Sequence, residues 1–455
     1  MTGNSQSTDS TFASRVTDHA SLPEPRVAIV GGGWAGMAAA VELASAGVRV
    51  VVFEAGKVLG GRARKVEADG LWLDNGLHIL VGAYTETLRM IETVRARGAP
   101  PPLKRMPLLL WVEPGFRLRA PVLPAPLHLA AGLAAARGLS MLEKFAAARF
   151  MLGQKQRAFR CEPEQTVQAL LSAHHQPERL NRCLWTPLCV AALNTRPAHA
   201  SGQVFLNVLR DSFARSRAAS DLLLPTTDFS ELFPDRAKTF IETRRGTVRL
   251  AATVKHIEPA GGGFAVGGEA GFSHAVIAVG PHRLESVAGE LAGMEPVLVR
   301  IRRFEYRPIY SIYLQYPGHT VLPAPMIGLT GSLAHWAFDR GKLCGQPGMI
   351  GVVISGDGPH ESLSQDALAA QVHAELAARW PRLPVPRWHR VIAEKRATFA
   401  CVPGLVRPSN RTPVPRLFLA GDYTESDYPA TLEAAVRSGV AAARLILGQS
   451  KAPTP

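Results

Sequence analysis

Residues 26–64 read RVAIVGGGWAGMAAAVELASAGVRVVVFEAGKVLGGRAR. The run Val27 to Val30 is short, apolar and β-branched, the pattern of a strand buried on both faces. It ends in G-x-G-x-x-G at Gly31, Gly33 and Gly36, with Trp34 and Ala35 between the last two glycines. The first glycine permits a tight turn, the second lets backbone approach a pyrophosphate, and the third lets a helix pack close on the strand. Met37 to Ala46 predicts a helix whose N-terminal amides and dipole face that pyrophosphate. Arg49 to Phe53 is a second strand, and Glu54 follows it 23 residues after Gly31, where a carboxylate accepts hydrogen bonds from a ribose diol. A glycine fingerprint alone is weak. Set between strand and helix, and followed at that distance by an acid, it marks a dinucleotide site.

The next turn narrows the dinucleotide. Leu59-Gly60-Gly61-Arg62-Ala63-Arg64 follows the ribose acid directly, a feature that nicotinamide-binding folds do not usually show and that points to FAD. Gly60 and Gly61 again allow close backbone approach, and Arg62 and Arg64 supply charge for a diphosphate. The competing reading of the two arginines is a solvated basic loop.

At 455 residues the chain has material for two or three domains and a large α/β core. The net charge of +14 is carried mainly by arginine. Such a balance suits nucleic acid, an anionic membrane surface or a phosphorylated ligand. No nucleic-acid motif is present, and no run interleaves arginine with aromatic residues; the membrane surface is the better partner. The five cysteines include no C-x-x-C pair, so cytosolic free thiols are expected and neither a disulfide framework nor a metal site. Motifs of P-loop NTPases, zinc proteases and serine hydrolases are missing, and His174-His175 reads as a solvated loop pair. Residues 1–24 and 450–455 read as polar tails, with no signal peptide. No stretch approaches a transmembrane span, so the expected location is cytoplasmic, with peripheral contact at the inner membrane face. Leu127 through Leu152 has an amphipathic helical pattern that suits a helix facing a core better than one lying in a membrane interface.

At the far end, Leu417-Phe418-Leu419-Ala420-Gly421-Asp422 and Tyr428-Pro429-Ala430-Thr431-Leu432-Glu433-Ala434-Ala435-Val436-Arg437-Ser438-Gly439 repeat the arrangement of apolar strand, glycine, acid and helix start. With the first segment they make the chain resemble the FAD-dependent amine oxidase and phytoene desaturase superfamily. More narrowly it resembles the hydroxysqualene dehydroxylases, on the stretches Leu73–Tyr84, Leu184–Cys189, Ala192–Thr195, Gln203–Asp211, His335–Arg340 and Glu394–Phe399. The resemblance runs in order from about Arg26 to Gly448. Leu77 and Tyr423 depart from it, standing where glutamine and tryptophan are common.

The resemblance implies an α/β protein with an FAD-binding Rossmann-like (ββα) domain, discontinuous in sequence, and an inserted α+β substrate domain. Segments 25–95, 236–284 and 385–449 are assigned to the FAD domain, and 96–235 and 285–384 to the substrate domain. Within the second FAD segment, Gly261 to Gly263 reads as a hairpin turn. The resemblance also implies that backbone at Val254 meets the adenine, that Gly421 and Asp422 meet the ribityl chain, and that Thr431 and Leu432 begin a helix pointing at the isoalloxazine. Asn75 and Gly76 complete the expected cofactor set.

The activity so implied is reductive dehydroxylation of hydroxysqualene to squalene, a step of hopanoid synthesis. The partners are a lipophilic isoprenoid substrate and an unidentified electron donor, either a nicotinamide or a reductase. Loss of the hydroxyl as water needs an acid and a site that steadies an allylic cation and keeps out bulk water. Asp74, His78, Tyr423, Asp427 and Tyr428 are candidates for the acid. His78 is attractive for its ordinary pKa near neutrality, and Asp427 also reads as a helix cap. Trp185, Phe205, Trp336 and Phe338 are candidate π faces or walls for the substrate. A carotenoid-type desaturase, an amine oxidase and a non-catalytic prenyl-binding escort protein remain as alternatives.

Overall fold

Four of the five residues of the Arg26–Val30 strand are buried, because it is the middle strand of a five-stranded parallel sheet. The order is Thr247–Arg249, Arg49–Phe53, Arg26–Val30, His274–Ile277 and Leu417–Leu419. The chain is seen here in a computed structural model that describes residues 25–449; the two expected polar tails lie outside them. Val27, Ile29, Val50 and Val52 face the helices Trp34–Ser45 and Leu432–Gln449. Ala28, Val30, Val51 and Phe53 face the opposite way, toward a three-stranded antiparallel sheet, Ile257–Ala260, Gly263–Val266 and Glu269–Phe272. Burial on both faces explains why these strands are continuously apolar instead of alternating. The two helices approach so closely that a Cβ on Gly439 would lie 2.0 Å from the carbonyl oxygen of Ala35. This ββα arrangement is the expected Rossmann-like fold.

The second layer is a seven-stranded sheet, ordered Trp388–Phe399, Tyr306–Gln315, Met349–Ser355, Trp336–Asp339, Met326–Leu329, Leu109–Glu113 and Phe116–Arg119. Every pairing is antiparallel except that of Met326–Leu329 with Leu109–Glu113. One face, through Ile312, Leu314, Ile350 and Val352, is covered by the helix Gln365–Arg379. The other carries Tyr313, Trp336, Phe338, Met349 and Val353 and meets the cofactor-binding part.

Two segments depart from expectation. Trp388–Phe399, expected with the FAD segments, pairs along most of its length with Tyr306–Gln315, so the chain rejoins the parallel sheet only at Leu417–Leu419. The helical pattern of 127–152 is two helices, Leu127–Ala134 and Met141–Gln156. The second starts at a capping box in which the Ser140 hydroxyl accepts from the Glu143 amide and Glu143 accepts from the Ser140 amide. Its outer face also departs from expectation, for it exposes apolar side chains instead of burying them.

Candidate active site

The two glycine turns lie on one another. Gly31 has φ +114°, and a Cβ there would stand 2.5 Å from the carbonyl oxygen of Ala278. A Cβ on Gly36 would stand 2.0 Å from the Gly31 oxygen, so helix and turn can pack this closely only with glycine. The amide of Gly60 donates to the Gly32 carbonyl at 2.9 Å, and Gly33 bridges Gly60. Trp34 contributes its indole N–H to the Ala63 carbonyl at 3.1 Å, and Arg64 bonds back to the Gly61 carbonyl. Both act within the protein, fixing the second turn. The Glu54 carboxylate accepts from the amides of Gly32 and Gly56, each at 2.7 Å. It is held beside the first turn and keeps lone pairs for further donors. Ala252 donates its amide to the Glu54 carbonyl at 2.8 Å, which brings the segment leading to Val254 to the same corner.

Arg62 joins the N-terminal turn to the C-terminal part of the chain. Its Nη2 donates to Asp422 Oδ1 and its Nη1 to the Ala397 carbonyl, each at 2.6 Å. Burial opposes the guanidinium charge, but Asp422 and then Glu394 outweigh it and hold the pKa of Arg62 above its ordinary value. Gly421 precedes this aspartate because a Cβ would meet the Tyr423 ring at 2.3 Å. Its amide donates to the Ser438 hydroxyl at 2.9 Å, fastening the turn to the Leu432–Gln449 helix. That helix is capped by Thr431, whose hydroxyl accepts from the Ala434 amide at 3.2 Å. Asp427 is therefore not the cap; its side chain is 70% exposed and pairs with Arg210 at 3.5 Å. Tyr428, half-buried, bonds to Asp211 and has its pKa raised by burial and by that carboxylate.

Asn75 and Gly76 lead into the centre of the site. The Asn75 amide donates to the Arg64 carbonyl at 2.8 Å, and its side chain to the Arg62 carbonyl at 3.2 Å. A small cavity beside them is lined by Asp74, Leu77, His78, Ile79, Phe338, Arg340 and Cys344, among others. Asp74 Oδ1 accepts from the Phe229 amide at 3.0 Å, Oδ2 from Arg340 at 3.3 Å, and its carbonyl from the Tyr313 hydroxyl at 2.7 Å. Burial, the largest influence, raises the Asp74 pKa despite Arg340. His78 moves the other way. Burial and the neighbouring Arg62 push it down to about 4, so it is neutral at pH 7 and not the ready proton donor its ordinary pKa suggested.

Of the aromatic candidates, Phe338 lines this cavity, and Trp336 lies on the same strand. Trp185 and Phe205 do not line it. They pack edge to face at 6.4 Å, with the Trp185 indole satisfied by Gln176. Arg340, Tyr313 and Cys344 carry no local motif that marks them as site residues. Arg340 lies 266 residues from Asp74, and only its place in the His335–Arg340 stretch hinted at it. All five cysteines are free, and no cluster of metal-ligating side chains occurs among the described residues.

Among the buried polar atoms that find no partner among the described residues are two at this site, His78 Nε2 and the Tyr423 hydroxyl. With the glycine bed, the fixed Glu54 and the Arg62–Asp422 pair, this donor set fits FAD. A family model described as flavin containing amine oxidoreductase matches residues 34–447, and the chain belongs to that family. It is an FAD-dependent oxidoreductase. A hydroxysqualene dehydroxylase of Rhodopseudomonas palustris is 28% identical, with 94% of this chain and 99% of the relative covered. A protein of the same name from Sinorhizobium fredii is 26% identical over 93% and 99%. A 15-cis-phytoene desaturase of Narcissus pseudonarcissus is 24% identical over 94% and 81%. Among solved structures, an oxidoreductase from Methanosarcina mazei has the same fold, with TM-score 0.70 and 15% identity over 92% of this chain and all of that one.

Proposed function

We propose that the enzyme reductively removes the hydroxyl of hydroxysqualene, giving squalene and water. Bound in its reduced form, FAD supplies the hydride; the protein must supply a proton, a dry apolar site and a fixed geometry. In this reading Gly31, Gly33, Gly36, Gly60 and Gly61 would take the diphosphate with Arg62, Glu54 the adenosine ribose, and Asp422 the ribityl hydroxyls. Val254, Asn75, Gly76, Gly421, Thr431 and Leu432 complete the surround.

The observation that carries this reading is a buried acid with a raised pKa on the wall of an otherwise largely apolar cavity. Asp74 can hold a proton closer to neutrality than an ordinary aspartate and deliver it to a departing hydroxyl. The carbon–oxygen bond breaks as that proton moves to oxygen, and hydride and proton together account for the two electrons and two hydrogens gained. Arg340, on the same cavity wall, anchors Asp74 at 3.3 Å. Phe338 lines the same cavity, and neutral His78 adds no second cation to that of Arg340. The names of the two dehydroxylase relatives support the same substrate.

The test is an anaerobic mixture of the dithionite-reduced protein with hydroxysqualene, followed by flavin absorbance and product identification. Flavin reoxidation with squalene formed is expected. A flavin that stays reduced refutes the proposal, and reduction of the oxidised protein by a carotene precursor would select the desaturase alternative.

A further inference from the structure

We infer that the helix Met141–Gln156, with the neighbouring segment 122–134, is a docking surface for an anionic lipid bilayer. On this helix Ala147, Phe150 and Gln154 are buried, and Phe150 packs on Trp185 with ring centroids 5.2 Å apart. At about 100° per residue, Met141, Phe145 and Leu152 fall on the side opposite those three, with Leu142 next to them. Their exposures are 74%, 68%, 62% and 82%. A surface helix ordinarily turns its polar side outward; this one is anchored by one face and presents a second apolar face to solvent. Val122, Leu123 and Leu127, also exposed, extend the patch, and Lys144 ties the two helices by donating to the Ala134 carbonyl at 2.7 Å.

Charge selects the occupant. Arg137, Lys144, Arg149, Lys155, Arg157 and Arg160 lie within or beside this segment, against the single acid Glu143 between residues 120 and 160, and Glu143 is engaged in the helix cap. Arg149 and Lys155 flank the apolar stripe on its two sides. An apolar face bordered by cations suits the headgroup boundary of an anionic membrane, where apolar side chains enter the acyl region and arginine and lysine stay at the phosphates. No helix among the described residues is long and apolar enough to cross a membrane, so the contact is peripheral. The inference does not depend on which substrate the enzyme uses.

The experiment is co-sedimentation of the purified, FAD-loaded full chain with vesicles of phosphatidylglycerol and phosphatidylethanolamine, or of phosphatidylcholine alone. Binding to the anionic vesicles is expected. The triple variant Leu142→Glu/Phe145→Glu/Leu152→Glu should lower the vesicle-bound fraction at least tenfold, with flavin absorbance and thermal unfolding unchanged. A control, Val321→Glu/Val385→Glu, alters exposed apolar positions elsewhere and should bind as the parent does. Equal binding to both vesicle types, binding that survives the triple variant, or no binding by the parent overturns the inference. So does a dimer in light scattering that the triple variant dissolves, which would make the patch a self-association surface.

Discussion

Separating the roles of Asp74 and Arg340 distinguishes a proton donor from a structural ion pair. Both side chains are less than a tenth exposed and stand 3.3 Å apart. Removing one partner of such a pair strands the other charge and costs about 3–5 kcal/mol, whereas replacing both is about neutral. The two single variants should nevertheless differ. In Arg340→Met the carboxyl can escape its penalty by taking up a proton, which its raised pKa already favours; in Asp74→Asn the guanidinium has no such escape. Asp74→Asn should therefore be the less stable. With an unfolding entropy of about 2.1 cal/mol/K per residue over 455 residues, the midpoint should fall by roughly 3–5 °C, and Asp74→Asn/Arg340→Met should recover most of it. The catalytic readout is the single-turnover rate of flavin reoxidation by hydroxysqualene, with FAD content checked for each protein. A lost proton donor should slow it by about 10²–10⁴-fold in Asp74→Asn and in the double variant, while Arg340→Met stays within about tenfold. A double variant that regains the rate along with stability would refute Asp74 as the acid and leave the pair purely structural.

Gly36→Ala should yield folded protein with at least tenfold less bound FAD, since its Cβ meets the Gly31 carbonyl oxygen at 2.0 Å; normal visible flavin absorbance would contradict the assigned diphosphate turn. Arg62→Lys should weaken FAD binding about tenfold and Arg62→Met about a hundredfold in a titration of the apoprotein, because lysine keeps a charge but loses the two-pronged bridge to Asp422 and Ala397. For His78, the folded pKa of about 4 lies below the ordinary 6.5, so the unfolded chain binds the extra proton between those values and stability falls as pH drops from 6.5 toward 4. At pH 5 the loss is roughly 2 kcal/mol. Lowering pH from 8 to 5 should thus depress the unfolding midpoint of the parent by about 2 °C more than that of His78→Gln, and identical pH dependence of the two would count against a neutral buried imidazole.

What could be read from the sequence was what the backbone writes locally. Gly31, Gly33, Gly36 and Glu54 lie within one βαβ unit, so their spacing alone exposes them, although of the three glycines only Gly36 meets its close neighbour, Gly31, nearby in the chain, while Gly31 is pressed by the distant Ala278 carbonyl. The same locality misled at Asp427. An acid shortly before a helix is a reasonable cap, but Thr431 stands nearer the first turn and its hydroxyl takes the Ala434 amide. The break in residues 127–152 did carry a signal, Ser140 three residues before Glu143, a capping box hidden by the apolar periodicity on either side. Trp388–Phe399 has charged residues interspersed along its length, which obscures the β pairing that the outer strand of the seven-stranded sheet makes. The chemistry of the centre is the least local part. Asp74 owes its raised pKa to burial, which prevails over the opposing pull of Arg340 and of the Phe229 amide, both supplied from far along the chain. His78 is neutral because the fold encloses it beside Arg62. A pKa is set by the surroundings of a side chain, and those surroundings exist only once distant segments have packed. The sequence could therefore nominate both residues as acids, but only the folded chain shows burial moving their pKa values in opposite directions, up for the aspartate and down for the histidine.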